Sequence, residues 1–182
     1  ASLLYSQGQK IQDPESQEGF QEVRSRLNAM VLVHERLYRS NDLTSVEFLS
    51  YAQTLVEELG HLYRERNPLV AYDVSGPEFS ATIETALPLG MILTELVSNA
   101  YKHAFAQNRP GLISITFRIE KGCMKMIVKD DGVGMPPNFD PEQADTFGWR
   151  LVRALTEQID GALSFTSDTG AEITIAFPGP AA

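Results

Sequence analysis

The residues best suited to chemistry are an acidic side chain and two glycines that follow an apolar segment. Asp130 ends this segment, and Gly132 and Gly134 follow it in the pattern Asp-x-Gly-x-Gly. A carboxylate at the end of a strand can accept a hydrogen bond from an exocyclic amine such as that of adenine, and the glycines let the backbone turn tightly and approach a ligand. A hairpin turn with an Asp-Gly step explains the motif alone equally well. Residues 135–146 are too many for a plain hairpin and indicate a lid.

A second group of polar residues lies on a predicted helix over residues 84–106. Glu95 and Asn99 are four positions apart, and Lys102 and His103 follow three and four positions later, which places them on one stripe. Hard oxygen donors with a lysine one turn further on suit a hydrated Mg²⁺ that also carries phosphate oxygens. Taken alone, the same stripe is typical of a solvated helix face.

A third candidate is Gly148, which stands where a helix is predicted to begin and is followed by Arg150. The N–H groups of a helix N-terminus can bind a phosphate, and a nearby arginine adds positive charge. An ordinary junction between a loop and a helix gives the same pattern.

The elements that must position these residues divide into two units. Residues 1–42 are predicted to form part of a helical hairpin, with a helix tail over 1–10 and a second helix that begins after Asp13. In this second helix, residues at alternating spacings of three and four form a heptad seam, which is typical of a helix packed along a near-parallel neighbour. The seam residues are Phe20, Val23, Leu27, Met30, His34 and Leu37.

Residues 43–182 are predicted to form an α+β unit. Helices are expected over 45–66, 84–106 and 148–158, and Pro88 is tolerated only near the first turn of its helix. Strands are expected over 69–74, 112–120, 123–130, 162–166 and 172–177. This order favours a two-layer sandwich of one mostly antiparallel sheet with helices on one face.

Composition excludes several classes of protein. The chain has 182 residues and a formal net charge of −9, which argues against a general nucleic-acid or anionic-membrane binder. One cysteine rules out an internal disulfide framework and fits a reducing compartment. No apolar run approaches the roughly 20 residues that a membrane span requires. We therefore expect a cytoplasmic chain, and the start at Ala1 suggests a piece of a longer protein.

Together and in this order, the three motifs resemble the N box (residues 95–103), the G1 box (130–134) and the G2 box (146–153) of the GHKL ATPase fold. Residues 29–40 and 89–105 are also very similar to segments of histidine kinases related to the HWE group. The strict Trp-x-Glu element of that group is absent, because Trp149 is followed by Arg150 and Leu151, and Ala171 stands where many GHKL proteins have Thr. The resemblance covers nearly the whole chain and implies the Bergerat sandwich preceded by a partial hairpin.

The resemblance implies a role for each matched residue. Asn99 would hold Mg²⁺, and Glu95 would contact the water of the metal or polarise the attacking imidazole, with Lys102 as the third catalytic residue. The residues expected to contact ATP bind either adenine or the phosphates; they are Asn99, Lys102, His103, Asp130, Gly132, Gly134, Gly148 and Arg150.

The implied function is the ATP-binding catalytic portion of a sensor histidine kinase. It would transfer the γ-phosphoryl group of ATP to a histidine, expected upstream of Ala1, and from there to an aspartate of a response-regulator receiver domain. His34 is expected to have a packing role in the seam rather than to be the acceptor. The hairpin makes a homodimer possible. The alternative is a histidine phosphotransferase or degenerate kinase that serves as a regulator-docking module.

Overall fold

The computed structural model describes residues 13–39, 45–64, 67–105, 109–120, 122–136 and 139–179, with backbone alone for 14–18 and 36–39. The predicted helix over 1–10 and the predicted helix end at residues 40–42 lie outside the described residues. Of the described helices, none is both long and apolar enough to cross a membrane.

Helix α1, Pro14–Arg39, begins where Asp13 and Pro14 predict. The face that it buries carries small side chains, namely Ser25, Ala29 and Val33. The opposite face holds much of the predicted seam, and there Val23 and Leu27 are 49% and 38% exposed. His34 is also exposed, so the described residues do not give it the predicted packing role. Ser25, Ala29 and Val33 are spaced four residues apart. They occupy the buried face because their small side chains let α1 approach its neighbours closely.

The region after α1 differs from the predicted helix over 45–66. Strand β1, Ser45–Glu47, comes first, and helix α2, Phe48–Tyr63, follows it. The Glu78 carboxylate accepts hydrogen bonds from the backbone N–H groups of Leu49 at 2.7 Å and Ser50 at 3.1 Å. These bonds satisfy N–H groups in the first turn of α2. A cap supplied from a distant position leaves no local signal in the sequence.

Strand β2, Val70–Ser75, follows α2, and strand β3, Ser80–Thr82, pairs with β1 in an antiparallel ribbon. Helix α3, Ile83–Asn99, continues as a π-helical turn over Ala100–Ala104. The predicted α-helix over 84–106 is therefore wrong in its last turn. Pro88 is buried in the second turn of α3 rather than in the first, so one backbone hydrogen bond is absent there.

The main sheet contains β2 and strands β4, Gly111–Glu120; β5, Cys123–Asp130; β6, Ala162–Thr166; and β7, Glu172–Pro178. Its order is β2-β4-β5-β7-β6, and every pairing except β2 with β4 is antiparallel. Helix α4, Phe147–Gln158, precedes β6. The inward side chains of β4, β5 and β7 are buried in one core with those of the helices, which confirms the predicted α+β sandwich.

Candidate functional site

Asp130 lies at the end of β5 and is held from two sides. Its Oδ1 atom accepts hydrogen bonds from the backbone N–H of Gly132 at 2.9 Å and from that of Ala171 at 3.2 Å. The backbone N–H of Asp130 in turn donates to the carbonyl of Ala171 at 2.9 Å. The side chain is 5% exposed. These contacts orient Oδ1 fully, and the described residues offer no partner for Oδ2.

The surroundings of this carboxyl group affect its ionisation. Burial raises the pKa of Asp130 above its usual value, while the N–H groups of Gly132 and Ala171 act in the opposite direction. Asp131 raises this pKa a little further and Arg109 lowers it. Ionisation of this buried carboxyl group therefore costs free energy, and perturbed pKa values of this kind are common at binding sites.

Two glycines allow the backbone around Asp130 to pack closely. A Cβ atom on Gly132 would lie 2.4 Å from both the Cβ and the carbonyl oxygen of Ala104. A Cβ on Gly170 would lie 1.9 Å from the carbonyl oxygen of Asp130, and Gly170 has a φ of +86°. Sequence analysis missed Gly170, whose only local signal is its position in the turn between β6 and β7.

Gly134 marks the start of the loop that leads away from the G1 box. Its φ is +76°, and a Cβ there would lie 2.9 Å from Ser167 Oγ. The same hydroxyl accepts a hydrogen bond from the N–H of Met135 at 2.7 Å. The turn between β6 and β7 therefore supports both Asp130 and the first residues of the loop.

The N-box helix presents Glu95 and Asn99 from α3. Glu95 is 6% exposed, and Asn99 is half-buried. Both Glu95 oxygens accept from Arg26 of α1: Nε lies 2.5 Å from Oε1, and Nη2 lies 3.0 Å from Oε2. The Arg26 pKa is raised, chiefly by its hydrogen bond with Glu95. Sequence analysis missed Arg26, because nothing near position 26 indicates a partner so far along the chain.

Lys102 and His103 lie on the π-helical turn and have different surroundings. Lys102 donates to the Glu22 carboxylate of α1, and the Lys102 side chain is 9% exposed. His103 is exposed. The predicted single stripe assumed α-helical spacing, which the π turn replaces after Asn99.

The G2 box meets the N box at the beginning of α4. A Cβ atom on Gly148 would lie 2.8 Å from Glu95 Oε2, so the helix start packs directly over this carboxylate. The Arg150 side chain is 64% exposed and lies 3.8 Å from Asp145, measured from Nη1 to Oδ1. The structure thus brings Gly148 to Glu95 and leaves Arg150 at the surface.

The loop before α4 is attached to that helix by two contacts. The Trp149 ring packs against Phe139 with 5.8 Å between centroids. Arg153 Nη1 donates to the carbonyl oxygens of Pro141 at 2.6 Å and Ala144 at 2.8 Å. The part of the predicted lid that the structure describes is therefore folded back on α4.

The three boxes form one continuous site. The N–H of Val133 in the G1 box donates to the carbonyl of Ala104 at 3.1 Å, which joins this box to the end of the N-box helix. Within the described residues, no three His, Cys, Asp or Glu side chains lie close enough together to hold a metal. Among the predicted site residues of the N box, the side chains with oxygen donors are those of Glu95, which pairs with Arg26, and Asn99.

Comparison with known proteins identifies the sequence. A family described as histidine kinase matches residues 1–63, and the histidine kinase-, DNA gyrase B- and HSP90-like ATPase family matches residues 84–181. The chain belongs to this ATPase family. Its two matched regions are those of sensor histidine kinases, as the motif resemblance predicts, and the observed sandwich is the GHKL fold.

Several histidine kinases are similar to this GHKL chain. The sensor histidine kinase PdtaS of Mycolicibacterium smegmatis is 30% identical over 165 residues, which is 90% of this chain and 33% of the relative. PdtaS of Mycobacterium tuberculosis is 28% identical over 185 residues, or 98% and 36% of the two chains. The chain spans about one third of the length of these relatives.

The histidine kinase domain of the Erythrobacter litoralis EL346 blue-light-activated histidine kinase has a similar structure. Its TM-score is 0.78 with 23% sequence identity, and the match covers 86% of this chain and 74% of that one. At this identity the likeness shows the fold.

Proposed function

We propose that this chain binds Mg·ATP and forms the catalytic portion of a sensor histidine kinase. The γ-phosphoryl group would pass to a histidine of the hairpin, expected on its first helix, and then to an aspartate of a response-regulator receiver domain. The observation that carries this proposal is the Asp130 carboxylate, which two backbone N–H groups hold in place at the end of the sheet.

Adenine recognition is assigned to Asp130 and the glycines around it. An adenine amine can donate to the Asp130 oxygen that the described residues leave unpaired. Gly132 and Gly134 shape the pocket, since a side chain on either would contact Ala104 or Ser167. Ala171 contributes its backbone N–H to Asp130, which a change of its side chain leaves intact.

Phosphate binding is assigned to the N and G2 boxes. Asn99 offers an amide oxygen to Mg²⁺, and the phosphates and water complete the coordination that this ion prefers. Mg²⁺ bound there would supply the neutralisation of phosphate charge that phosphoryl transfer needs. Contact with the phosphates is also assigned to Lys102, His103, Arg150 and the N-terminus of α4 at Gly148. Glu95 is assigned to polarise the attacking imidazole.

We place the division between the hairpin and the catalytic domain at residues 42 and 43. Helix α2 supports this boundary because it packs into the core of the sheet. The Phe48 ring lies 5.6 Å from that of Phe117 on β4, and Gly60 lies against Tyr72 on β2. A homodimer through the exposed apolar face of α1, and a cytoplasmic location with access to ATP, complete the proposal.

Nucleotide binding can be tested with Trp149 as the reporter. Because Trp149 packs against Phe139 at the loop before α4, we expect its fluorescence to change when Mg·ATP is titrated, with calorimetric heat over the same range. No fluorescence response together with no heat would reject nucleotide binding and favour the regulator-docking alternative.

Phosphoryl transfer needs a separate test. A protein that carries the whole hairpin should gain acid-labile phosphate from labelled ATP and lose it to a receiver domain. Under the same conditions His34, His61 and His103 should remain unlabelled. Acid-labile phosphate on His34 of this chain would contradict our placement of the acceptor.

A further inference from the structure

The contact between α1 and the N box joins four charged side chains into one group, which we call the latch: Glu22, Arg26, Glu95 and Lys102. Arg26 binds both oxygens of Glu95, and its Nη2 also lies 3.3 Å from Glu22 Oε2. Glu22 in turn accepts from Lys102. Each member therefore pairs with a neighbour of opposite charge, and the formal charges of the four side chains add up to zero.

The latch reaches the G2 box as well. The Arg26 guanidinium carbon lies 4.6 Å from the centroid of the Phe147 ring, at the first residue of α4. The side chains of Arg26 and Glu95 are 13% and 8% exposed. A planar guanidinium suits this position, since it pairs with a carboxylate through two hydrogen bonds and stacks on an aromatic ring.

The rest of the docked face of α1 is built from small contacts. Ser25, Ala29 and Val33 are buried, and the Tyr51 hydroxyl donates to the Ala29 carbonyl at 3.0 Å. This contact requires Gly90, where a Cβ atom would lie 2.1 Å from the Tyr51 hydroxyl. Small side chains bury little apolar area, so the ion pairs distinguish this docked position from others along α3.

We propose that Glu22 and Arg26 withhold Lys102 and Glu95 from the nucleotide, so that docking of α1 and binding of the Mg·ATP phosphates oppose each other. The inference rests on the proposed function, which places Lys102 and Glu95 at the phosphate end. Phosphate oxygens would replace Glu22 beside Lys102, and the hydrated cation would replace Arg26 beside Glu95. This exchange keeps Glu95 next to a positive charge, whereas removal of α1 without a ligand would take away the Arg26 partner of this buried carboxylate.

The exchange makes Glu22 and Arg26 positioning residues that act through Glu95 and Lys102. By linkage, a ligand that binds better to the undocked state must shift α1 away from the N box, and a weaker latch must tighten binding of that ligand by the same free energy. AMP lacks the β- and γ-phosphates, so its binding should respond little to the latch.

The test is calorimetry of Mg·ATP and of AMP with the unmodified chain and with Glu22→Gln. This glutamate is about one-third exposed, which makes it the mildest place to weaken the latch. We expect Mg·ATP to bind about fivefold tighter or better, with AMP affinity unchanged. Arg24→Gln on the same helix changes a charge outside the latch and should leave both affinities unchanged.

A second set of variants and a second measurement keep the proposal testable if Glu22→Gln fails to fold. Arg26→Gln should also tighten Mg·ATP binding, and Arg26→Lys should fall between it and the unmodified chain, because lysine keeps the charge but loses the paired hydrogen bonds. Hydrogen exchange of α1 amides in the unmodified chain should become faster when Mg·ATP saturates the site.

Several results would decide against the latch. Unchanged or weaker Mg·ATP binding in folded Glu22→Gln, or slower α1 exchange with Mg·ATP, would overturn it while leaving nucleotide binding intact. Absence of binding by both nucleotides in every variant would instead overturn the proposed function and the latch together. Binding that appears only in Glu22→Gln would support the latch.

Discussion

The two ends of the candidate site are stabilised by different parts of the chain. At the proposed adenine end, Asp130, Gly132, Gly170 and Ala171 hold one another through backbone hydrogen bonds and close packing within the sheet. At the proposed phosphate end, Glu95 and Lys102 are held by side chains of α1, which lies within residues 1–63, the part of the sequence that matches the histidine kinase family.

This difference suggests separate roles for the two ends, one in recognition of the base and the other in control of phosphate access by α1. A site closed by its own backbone keeps its geometry whatever the hairpin does. A site whose charges are paired with another segment changes when that segment moves. Recognition of the base should therefore be constant, whereas access to the phosphate end should depend on the position of α1.

The largest effect is expected from Asp130→Asn. Asparagine can keep the acceptor that binds Gly132 and Ala171, but its amide group cannot provide a second acceptor to the adenine amine. We expect ATP affinity to fall by about 100-fold or more, because the site would then leave buried polar groups unpaired. Calorimetry measures the loss, and Asp131→Asn is the neighbouring control that should bind normally.

The same substitution should not reduce stability at neutral pH. The folded-state pKa of Asp130 is raised, so its contribution to stability is fully present below the unfolded pKa and is lost as pH rises through the folded pKa. An asparagine side chain does not titrate, so the Asp130→Asn variant should gain thermal stability relative to the unmodified chain at neutral pH and lose this advantage below about pH 4. A large drop in melting temperature at pH 7 would contradict this account.

Gly170→Ala should break the backbone closure at the adenine end. The new Cβ would meet the Asp130 carbonyl at 1.9 Å, and the positive φ adds strain. We expect a loss of about 2 kcal/mol or more in unfolding free energy, with weaker ATP binding. Denaturant unfolding and calorimetry measure the two effects.

Gly122→Ala provides a matched control for this clash. Gly122 has a φ of +82°, close to that of Gly170, but a Cβ atom added there would meet none of the described atoms within 4 Å. This variant should show the backbone strain alone, about 1 kcal/mol. Equal losses in the two variants would mean that contact with Asp130 adds nothing.

Asn99→Ala tests the phosphate end directly. Loss of the amide oxygen should weaken Mg·ATP binding about tenfold, with little change when EDTA removes the metal. Asn99→Asp should keep most of the metal-dependent affinity, since a carboxylate is also a hard oxygen ligand. An equal loss with and without Mg²⁺ would assign Asn99 to the nucleotide rather than to the metal.

The sequence predicts the adenine end better than the phosphate end, because the first depends mainly on neighbouring residues and the second on residues far apart in the chain. Asp130 and its glycines lie within five positions, and β5 and β6 have the predicted bounds because their apolar alternation is local. Arg26 pairs with Glu95 across 69 positions, and Glu78 caps α2 across 29. Local patterns reveal residue types and periods, but such long-range partners depend on the tertiary fold.

The π-helical turn and the buried face of α1 illustrate the same limit. Residues 100–104 continue a helical sequence pattern, and only tertiary contacts, such as the Val133 bond to Ala104, distinguish π from α geometry there. The heptad seam of α1 is visible because its side chains are large. The structure instead buries Ala29 and Val33, whose small size favours close approach but leaves a weak periodic signal.

The smallest predicted effect concerns Glu58 on α2, which is repelled by Glu35 near the end of α1. Burial, then Glu35 of α1 and Glu57, raise the pKa of Glu58 on α2, while His61 lowers it. A raised carboxyl pKa gives stability that is present below the unfolded pKa and is lost as pH rises through the folded one. Glu58→Gln should therefore raise the melting temperature by about one or two degrees at pH 7 and by nothing near pH 4.

Glu57→Gln is the matched control for this change, since Glu57 is 61% exposed and lies 3.9 Å from His61, measured from Oε1 to Nε2. It removes the same charge from the same helix. Because the lost repulsion with Glu58 and the lost contact with His61 oppose each other, it should change the melting temperature less than Glu58→Gln does. A gain in Glu58→Gln that persisted at pH 4 would have to come from packing rather than from charge. Because burial and Glu57 raise this pKa as well as Glu35 of α1, a gain limited to neutral pH would show that the Glu58 charge destabilises the folded chain.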